Sequence, residues 1–264
     1  MRKMFRCLAA AAIAVLASTV AYAQTVDDII KKGTLVVAID TTTPPYAALD
    51  GTMQPSGFDI DLAGQIAKSL GVKPEFVTVN SPGRIPALLT NRVDIVVSIF
   101  SITAERAQQV WFTNPYAGQC SAVVGPKNVA AKSLEDLKGK KIAVTRGTPE
   151  DNITSAWSKE HDDAISVLRF DDYPSTMQAM LSGQVDIMGG GDYGDIYLRK
   201  SKAGEGFEMK FPLRCFHFGI GLRRGNVDLL KWLNTFIYTV KNDGTLDALS
   251  MKWRKAPLPP LPTM

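Results

Sequence analysis

Residues 87–95 read ALLTNRVDI, and residues 179–187 read AMLSGQVDI. Each stretch holds the end of an apolar helical pattern, a polar or glycine-containing turn, and the start of a β-branched strand. The two stretches align residue for residue, which predicts two similar α/β units in one chain. An alternative stays open, because any helix, turn and strand in succession favours Asn or Gly at the turn.

The residues before the first stretch alternate between strand and helix. Residues 35–39 (LVVAI) are typical of a buried parallel strand, and apolar residues recur at helical spacing between Asp59 and Gly71. Asp59 is placed to cap the start of that helix, and Gly71 is placed to end it. The first unit is expected to continue with a strand at 75–79, a helix near 85–90 and a strand at 93–97. This order predicts a mainly parallel sheet flanked by helices.

The same alternation begins again after residue 125. We predict helices at 133–138, 149–160 and 175–182, and strands at 141–145, 165–170 and 185–189. Two further helices are expected at 226–242 and 244–253, with Trp232 and Trp253 buried. The proline-rich residues from 256 onward cannot be helical and predict an extended strap on the surface.

The first 23 residues have the order of a secretory signal peptide. Three cations among residues 2–6 precede an uncharged apolar run at 7–20, and residues 21–23 (AYA) supply a cleavage site before Gln24. The mature chain is therefore expected in the periplasm. Without the three cations of the signal, 30 basic residues become 27 against 26 acidic ones, so no nucleic-acid or anionic-membrane partner is indicated.

Cys120 and Cys215 remain in the mature chain. Two cysteines in an exported protein are able to form one disulfide, but the sequence leaves open whether they approach each other. Since His161 and His217 are the only histidines beside them, a structural zinc site is not indicated. We expect neither a metal nor a cofactor.

Several short motifs follow one another along nearly the whole mature chain. They are Asp40-x4-Pro45-Tyr46, GFDIDL at 57–62, RIPAL at 84–88, VDI at 93–95, the segment from Ser98 to Arg106, SLEDLKGKK at 133–141, VTRGT at 144–148, GIGLR at 219–223 and DGTLD at 243–247. Their order resembles the polar amino-acid-binding family of bacterial extracellular solute-binding proteins. The resemblance implies an α/β, two-lobed periplasmic-binding-protein fold of type II. It assigns residues 24–124 and 217–264 to lobe 1 and residues 125–216 to lobe 2, with crossover segments near 122–128 and 213–220.

The same resemblance implies the periplasmic substrate-binding component of an amino-acid ABC transporter, which binds a free polar amino acid by hinge closure of its lobes. The implied partners are an uncharged or cationic amino acid and the permease in the inner membrane, and the protein is expected to be a monomer. The scaffold also occurs in cyclohexadienyl (arogenate or prephenate) dehydratases, which stay open as an alternative. Glu150 and Asp151 are candidate general acids, but acidic residues at a helix start are ordinary partners of the helix dipole. No other catalytic motif points to an enzyme.

The resemblance also implies where the charged ends of the ligand bind. It assigns the carboxylate to Arg106, because a guanidinium can donate two parallel hydrogen bonds to it. Ser98 and Ser101 match ligand-contacting positions in the same lobe. In the other lobe, Thr145 and Thr148 lie in a loop whose amides, just before a helix starting at Pro149, are predicted to form a nest for an anion.

The remaining ligand contacts are more specific to this chain. The ammonium group is assigned to Asp192, with Asp195 as the alternative, because glycines at 189–191 allow the backbone to shift by one residue. Asp40 and Arg84 match positions that contact the ligand's side chain, and their opposite charges are expected to neutralise each other. Tyr46 and Phe100 are expected to form apolar walls.

Overall fold

The computed structural model of this protein describes residues 25–191 and 202–264. The elements before the first crossover are α1 Val26–Lys32, β1 Thr34–Ile39, β2 Thr42–Thr43, β3 Ala47–Leu49, β4 Pro55–Ser56, α2 Phe58–Leu70, β5 Lys73–Thr78, α3 Arg84–Leu89, β6 Ile95–Val96, α4 Ala104–Ala107 and β7 Val110–Phe112. The elements that follow are β8 Ala117–Pro126, β9 Lys141–Thr145, α5 Pro149–Glu160, β10 Ser166–Phe170, α6 Tyr173–Leu181, β11 Ile187–Gly191, β12 Phe207–Phe218, β13 Gly221–Arg223, α7 Val227–Asn242 and α8 Thr245–Trp253. The helix predicted at 133–138 is only a short 3-10 turn, Glu135–Leu137.

Two five-stranded sheets organise these elements. The strand order is β5-β1-β6-β13-β7 in sheet 1 and β10-β9-β11-β8-β12 in sheet 2. In each sheet the fourth strand, β13 or β8, runs antiparallel to both of its neighbours, while the first three strands are parallel. The α/β fold is therefore confirmed, with mixed sheets in which four of the five strands run in one direction, and each sheet places the earliest strand of its parallel group, β1 or β9, between the other two.

The two matching stretches form the same local structure. The turn residue has a left-handed backbone in both, with φ of 58° at Asn91 and 75° at Gly183. The aspartate that follows accepts a hydrogen bond from the start of the neighbouring strand. In lobe 1 the Val36 amide donates to Asp94 at 2.8 Å, and in lobe 2 the Lys141 amide donates to Asp186 at 2.7 Å. Each aspartate thus fixes its strand, β6 or β11, against the neighbouring strand β1 or β9.

An antiparallel ribbon joins the two sheets. Because β11 pairs with residues 121–124 of β8, residues 117–120 and 215–218 form the part of the β8–β12 ladder that lies between the sheets. Cys120 and Cys215 are register partners in this ribbon and form a disulfide. The first crossover therefore begins earlier than the predicted 122–128. The predicted lobe boundaries at 124 and 217 fall inside β8 and β12.

Apolar side chains cover both faces of each sheet. Helices α1, α2, α7 and α8 contribute the largest cluster on sheet 1, against which Trp232 and Trp253 are only partly buried. The C-terminal strap forms no helix, as the prolines predicted, and packs Leu258 and Leu261 against the same cluster. Within the described residues, no helix has both the length and the apolar character that a membrane span needs.

The start of α2 differs from its prediction. The helix begins at Phe58 behind Gly57, whose φ of 142° and close approach to the Tyr46 carbonyl leave no room for a Cβ. Asp59 is therefore not the cap. It is fully buried, and its carboxylate accepts hydrogen bonds from the Ile99 amide at 2.8 Å and the Tyr116 hydroxyl at 3.0 Å.

Burial raises the pKa of Asp59 from 3.8 to about 7, although its two hydrogen bonds favour the charged form. Between pH 4 and 7 the unfolded chain has lost this proton while the folded chain still binds it. The free energy of unfolding contributed by Asp59 therefore falls across this window as the pH rises, by up to about 4 kcal/mol.

We predict that Asp59→Asn removes this pH-dependent loss, because the amide keeps the shape of the side chain and carries no charge. Urea unfolding of both proteins from pH 4 to 8 measures the difference. Relative to wild type, the variant should become steadily more stable as the pH rises. Asp247→Asn, at an exposed position of α8, is the control and should show no such trend. A constant difference between wild type and Asp59→Asn would contradict the prediction.

Candidate functional site

A polar cavity lies between the lobes, beside the carboxyl ends of β1, β6, β9 and β11. Lobe 1 contributes Asp40, Thr43, Ser81, Arg84, Ile99, Ser101 and Arg106, the ribbon region contributes Gln119, Ser121 and Phe216, and lobe 2 contributes Thr145, Thr148, Pro149, Glu150, Tyr173 and Gly189 to Gly191. The carboxyl ends of parallel strands are where open α/β sheets bind ligands. The cavity volume is about 40 Å³, on a scale where one water needs roughly 10–15 Å³. An amino acid therefore requires the lobes or the lining side chains to move apart.

A buried ion pair forms the floor of the cavity in lobe 1. Arg84 donates from Nη2 to Asp40 Oδ2 at 3.3 Å, and the two side chains are only 2% and 4% exposed. Arg84 Nε also donates to the Ser98 hydroxyl at 3.3 Å, and Asp40 Oδ1 accepts from the Thr42 amide at 3.1 Å. The predicted neutralisation of Asp40 by Arg84 is thus present. Ser98 is buried beneath the pair and positions Arg84.

Arg106 links the two lobes. Its Nη1 donates to the Ser101 carbonyl at 2.7 Å and its Nη2 donates to the Gly147 carbonyl of lobe 2 at 2.9 Å. Burial, with the nearby charge of Arg84, lowers the pKa of Arg106 to about 10, so the guanidinium stays protonated at neutral pH. A second interlobe bond runs from Asn152 Nδ2 to Glu105 at 3.0 Å. The lobes are therefore in contact across the cleft.

The amides at the start of α5 have partners inside lobe 2. The Gly147 amide donates to Asp151 Oδ2 at 3.0 Å, and the Thr148 amide donates to the Thr145 carbonyl at 3.2 Å. The Thr148 hydroxyl caps α5 by accepting from the Asp151 amide. The predicted anion nest at Gly147 and Thr148 is therefore already filled by the protein's own groups. Thr145 and Thr148 still line the cavity.

The two predicted aromatic walls lie elsewhere. Tyr46 is 1% exposed and packs edge-on against Phe58 and Phe218 in the core of lobe 1. Phe100 is also buried, and the Arg106 guanidinium lies 4.9 Å from the centre of its ring. Phe100 therefore supports Arg106 from below through a cation–π contact. Neither ring lines the cavity in this conformation.

Sequence reasoning treated Glu150 as an ordinary acidic residue at a helix start, yet it lines the cavity and is 6% exposed. Its side chain passes over β11 at Gly189. A Cβ added to residue 189 would lie only 2.9 Å from the Cβ of Glu150. A larger residue at 189 would exclude the glutamate stem. The glycines at 189–191 were the sequence signal for this contact, because they leave space for a neighbouring side chain. From the sequence alone they were interpreted instead as a sign that the backbone can shift by one residue. Asp192 and Asp195, the residues assigned to the ammonium group, lie outside the described residues.

Comparisons with known proteins give a consistent result. The family model described as bacterial extracellular solute-binding proteins, family 3, matches residues 35–256. The chain is similar to the L-cystine-binding protein TcyJ of Escherichia coli K12, with 31% identity over 84% of this chain and 83% of that protein.

Two solved structures are also similar to this chain. A mutant of ArgBP from T. maritima has a TM-score of 0.81 and 31% identity, covering 88% of this chain and 99% of its own. The ancestral amino acid-binding protein AncCDT-1, described as a precursor of cyclohexadienyl dehydratase, has a TM-score of 0.78 and 35% identity, covering 86% and 98%.

We predict that Asp40→Asn destabilises the protein by about 3–5 kcal/mol, because it leaves the buried Arg84 charge without its partner. The double variant Asp40→Asn with Arg84→Gln should recover much of that loss, since no unpaired charge remains. Urea unfolding measures both. The exposed pair between Arg146 and Asp171 is the control, and Asp171→Asn should cost about 1 kcal/mol or less. Equal costs for Asp40→Asn and Asp171→Asn would contradict the prediction.

Proposed function

Because this chain belongs to family 3 of the bacterial extracellular solute-binding proteins, we propose that it binds a free amino acid between its lobes and delivers it to an ABC importer. Relatives named as amino-acid-binding proteins support this proposal, and among those compared the named proteins are binding proteins rather than enzymes. The observation that carries the proposal is the position of Arg106, which lies in a polar interlobe cavity and donates to both lobes.

In this proposal the ligand's carboxylate binds Arg106. A carboxylate accepts two parallel, charge-assisted hydrogen bonds, which are stronger than the bonds that Arg106 makes to two neutral carbonyls. The ligand would displace the Gly147 carbonyl from Nη2 and take over the link between the lobes. Binding and hinge closure are thereby coupled, because a ligand that contacts both lobes favours the closed form.

The charges of the cavity favour an uncharged or cationic polar amino acid. Asp40 and Arg84 compensate each other, so neither is left to bind a side chain of opposite charge. An acidic side chain would enter a buried cavity that already holds the Glu150 carboxylate, and like charges repel strongly where the dielectric constant is low. Ser98, Ser101, Thr145 and Thr148 remain predicted ligand contacts or supports, and the role of Asp192 remains a prediction.

We further propose that residues 1–23 direct export and are removed before Gln24, that the protein works in the periplasm as a monomer, and that its partner is an inner-membrane ABC permease. The family's extracellular character supports export, and the name of a relative, an ABC transporter glutamine-binding protein, supports the partner.

The first test is a thermal-shift screen of residues 24–264, after unfolding and refolding to remove any carried-over ligand. The probes are the twenty amino acids with L-cystine, ornithine and citrulline. At 100 times its Kd, a ligand should raise the melting temperature by about 5–10 °C. Arg106→Ala should weaken binding at least about 100-fold, because two charge-assisted hydrogen bonds are lost.

Arg92→Ala, at an exposed position outside the cavity, is the matched control and should bind like wild type. The melting temperatures of the ligand-free proteins show whether each variant is folded. The absence of a shift with every amino acid would refute amino-acid binding. Unchanged affinity in a folded Arg106→Ala would refute the role of Arg106.

A further inference from the structure

We propose that Glu150, from lobe 2, receives the ammonium group of the bound amino acid, and that the site prefers a ligand with no net charge. This inference rests on the proposed amino-acid binding, names the ligand class of the same site and assigns to Glu150 the group that the family resemblance assigns to Asp192.

Glu150 has the environment of a ligand-binding group. It is the second residue of α5, is 6% exposed and lines the cavity. Within residues 25–191 and 202–264, its carboxylate makes no hydrogen bond and no ion pair with another side chain. A carboxylate in so enclosed a place, with no cation bonded to it among those residues, would stabilise a cation that enters the cavity beside it.

The neighbouring acid performs the structural role that a helix start requires. Asp151 Oδ1 accepts from Arg169 at 2.7 Å and from Ser155 at 2.9 Å, while its Oδ2 accepts from the Gly147 amide at 3.0 Å. These bonds tie the start of α5 to its own lobe. Glu150 is therefore not needed for that purpose, and its side chain extends over Gly189 instead.

A second acceptor faces the same cavity. Gln119, in the ribbon, has a buried Oε1 that accepts no hydrogen bond within the part of the chain that the structure describes. An ammonium group has three N–H donors and no acceptor. Glu150 and Gln119 together offer such a group a charged and a neutral oxygen.

The charge balance of the cavity sets the ligand class. The ionisable groups among its described lining residues, apart from the phenol of Tyr173, are Asp40, Arg84, Arg106 and Glu150. Their formal charges sum to zero. Glu150 and Arg106 both line this one cavity, so their opposite charges attract each other there. The carboxylate and the ammonium of a free amino acid are both attached to Cα, so together they match such a pair without adding net charge to the buried site.

The test titrates every amino acid that shifts the wild-type melting temperature against Glu150→Gln by calorimetry. The change keeps the size of the side chain and removes its charge. We expect a loss of affinity of about 10- to 100-fold. The loss should be similar for ligands with neutral and with cationic side chains, since all of them carry the ammonium group. Glu160→Gln, at the exposed end of the same helix, should stay within about twofold of wild type.

Two results would overturn the inference while leaving amino-acid binding intact. Equal affinity of wild type and Glu150→Gln would remove Glu150 from the site. A loss confined to ligands with cationic side chains, or a wild type that binds only such ligands, would place Glu150 against the side chain instead. Failure of the wild type to bind any amino acid is a different result, because it refutes the proposed function itself.

Discussion

The contact between the Arg106 guanidinium and two backbone carbonyls, one from each lobe, is the interaction around which the cleft is organised. A buried cation needs acceptors on every side that water does not reach. Ser101 and Gly147 supply them, and the ring of Phe100 lies beneath the same group. Both carbonyls are neutral, so they accept the hydrogen bonds of the guanidinium but do not neutralise its positive charge. A carboxylate in the cleft would accept the same hydrogen bonds and also neutralise the charge of Arg106. The contact between the lobes would then serve as a binding site for the ligand.

The elements that sequence reasoning predicted best are those whose signals are local. Helix α5 spans the predicted residues 149–160, because Thr148 caps it and Pro149 suits its first position. The cap of α2 was misjudged by two residues, Asp59 instead of Gly57, since the need for Gly57 arises from the approach of Tyr46 rather than from its neighbours in sequence. Strands β8 and β12 were predicted only as crossover segments. Their residues do not alternate regularly between buried and exposed, and two register shifts in β12 interrupt the two-residue repeat by which a strand is recognised.

The same distinction separates the site residues. The resemblance to the family assigned Asp40, Arg84 and Arg106 to the ligand, and the structure places all three at the cavity, beside the carboxyl edge of sheet 1. Tyr46 and Phe100 occupy the same edge but turn into the core, and sequence does not encode that choice of direction. Glu150 was considered only as a candidate general acid and not as a ligand contact, because its entry into the cavity depends on Gly189, which belongs to strand β11. Contacts between side chains of different elements depend on how the elements pack, so a structure is needed to identify them.

The disulfide between Cys120 and Cys215 has a mechanical meaning. It joins the two strands of the ribbon at one register, so neither strand can shear along the other. The two connections between the lobes therefore behave as a single band, which can bend and twist but cannot slide. The path between open and closed forms loses one direction of motion, and the cleft faces meet in the same alignment at each closure. Protein made in a reducing compartment would lack this guide, because thiols stay unpaired there.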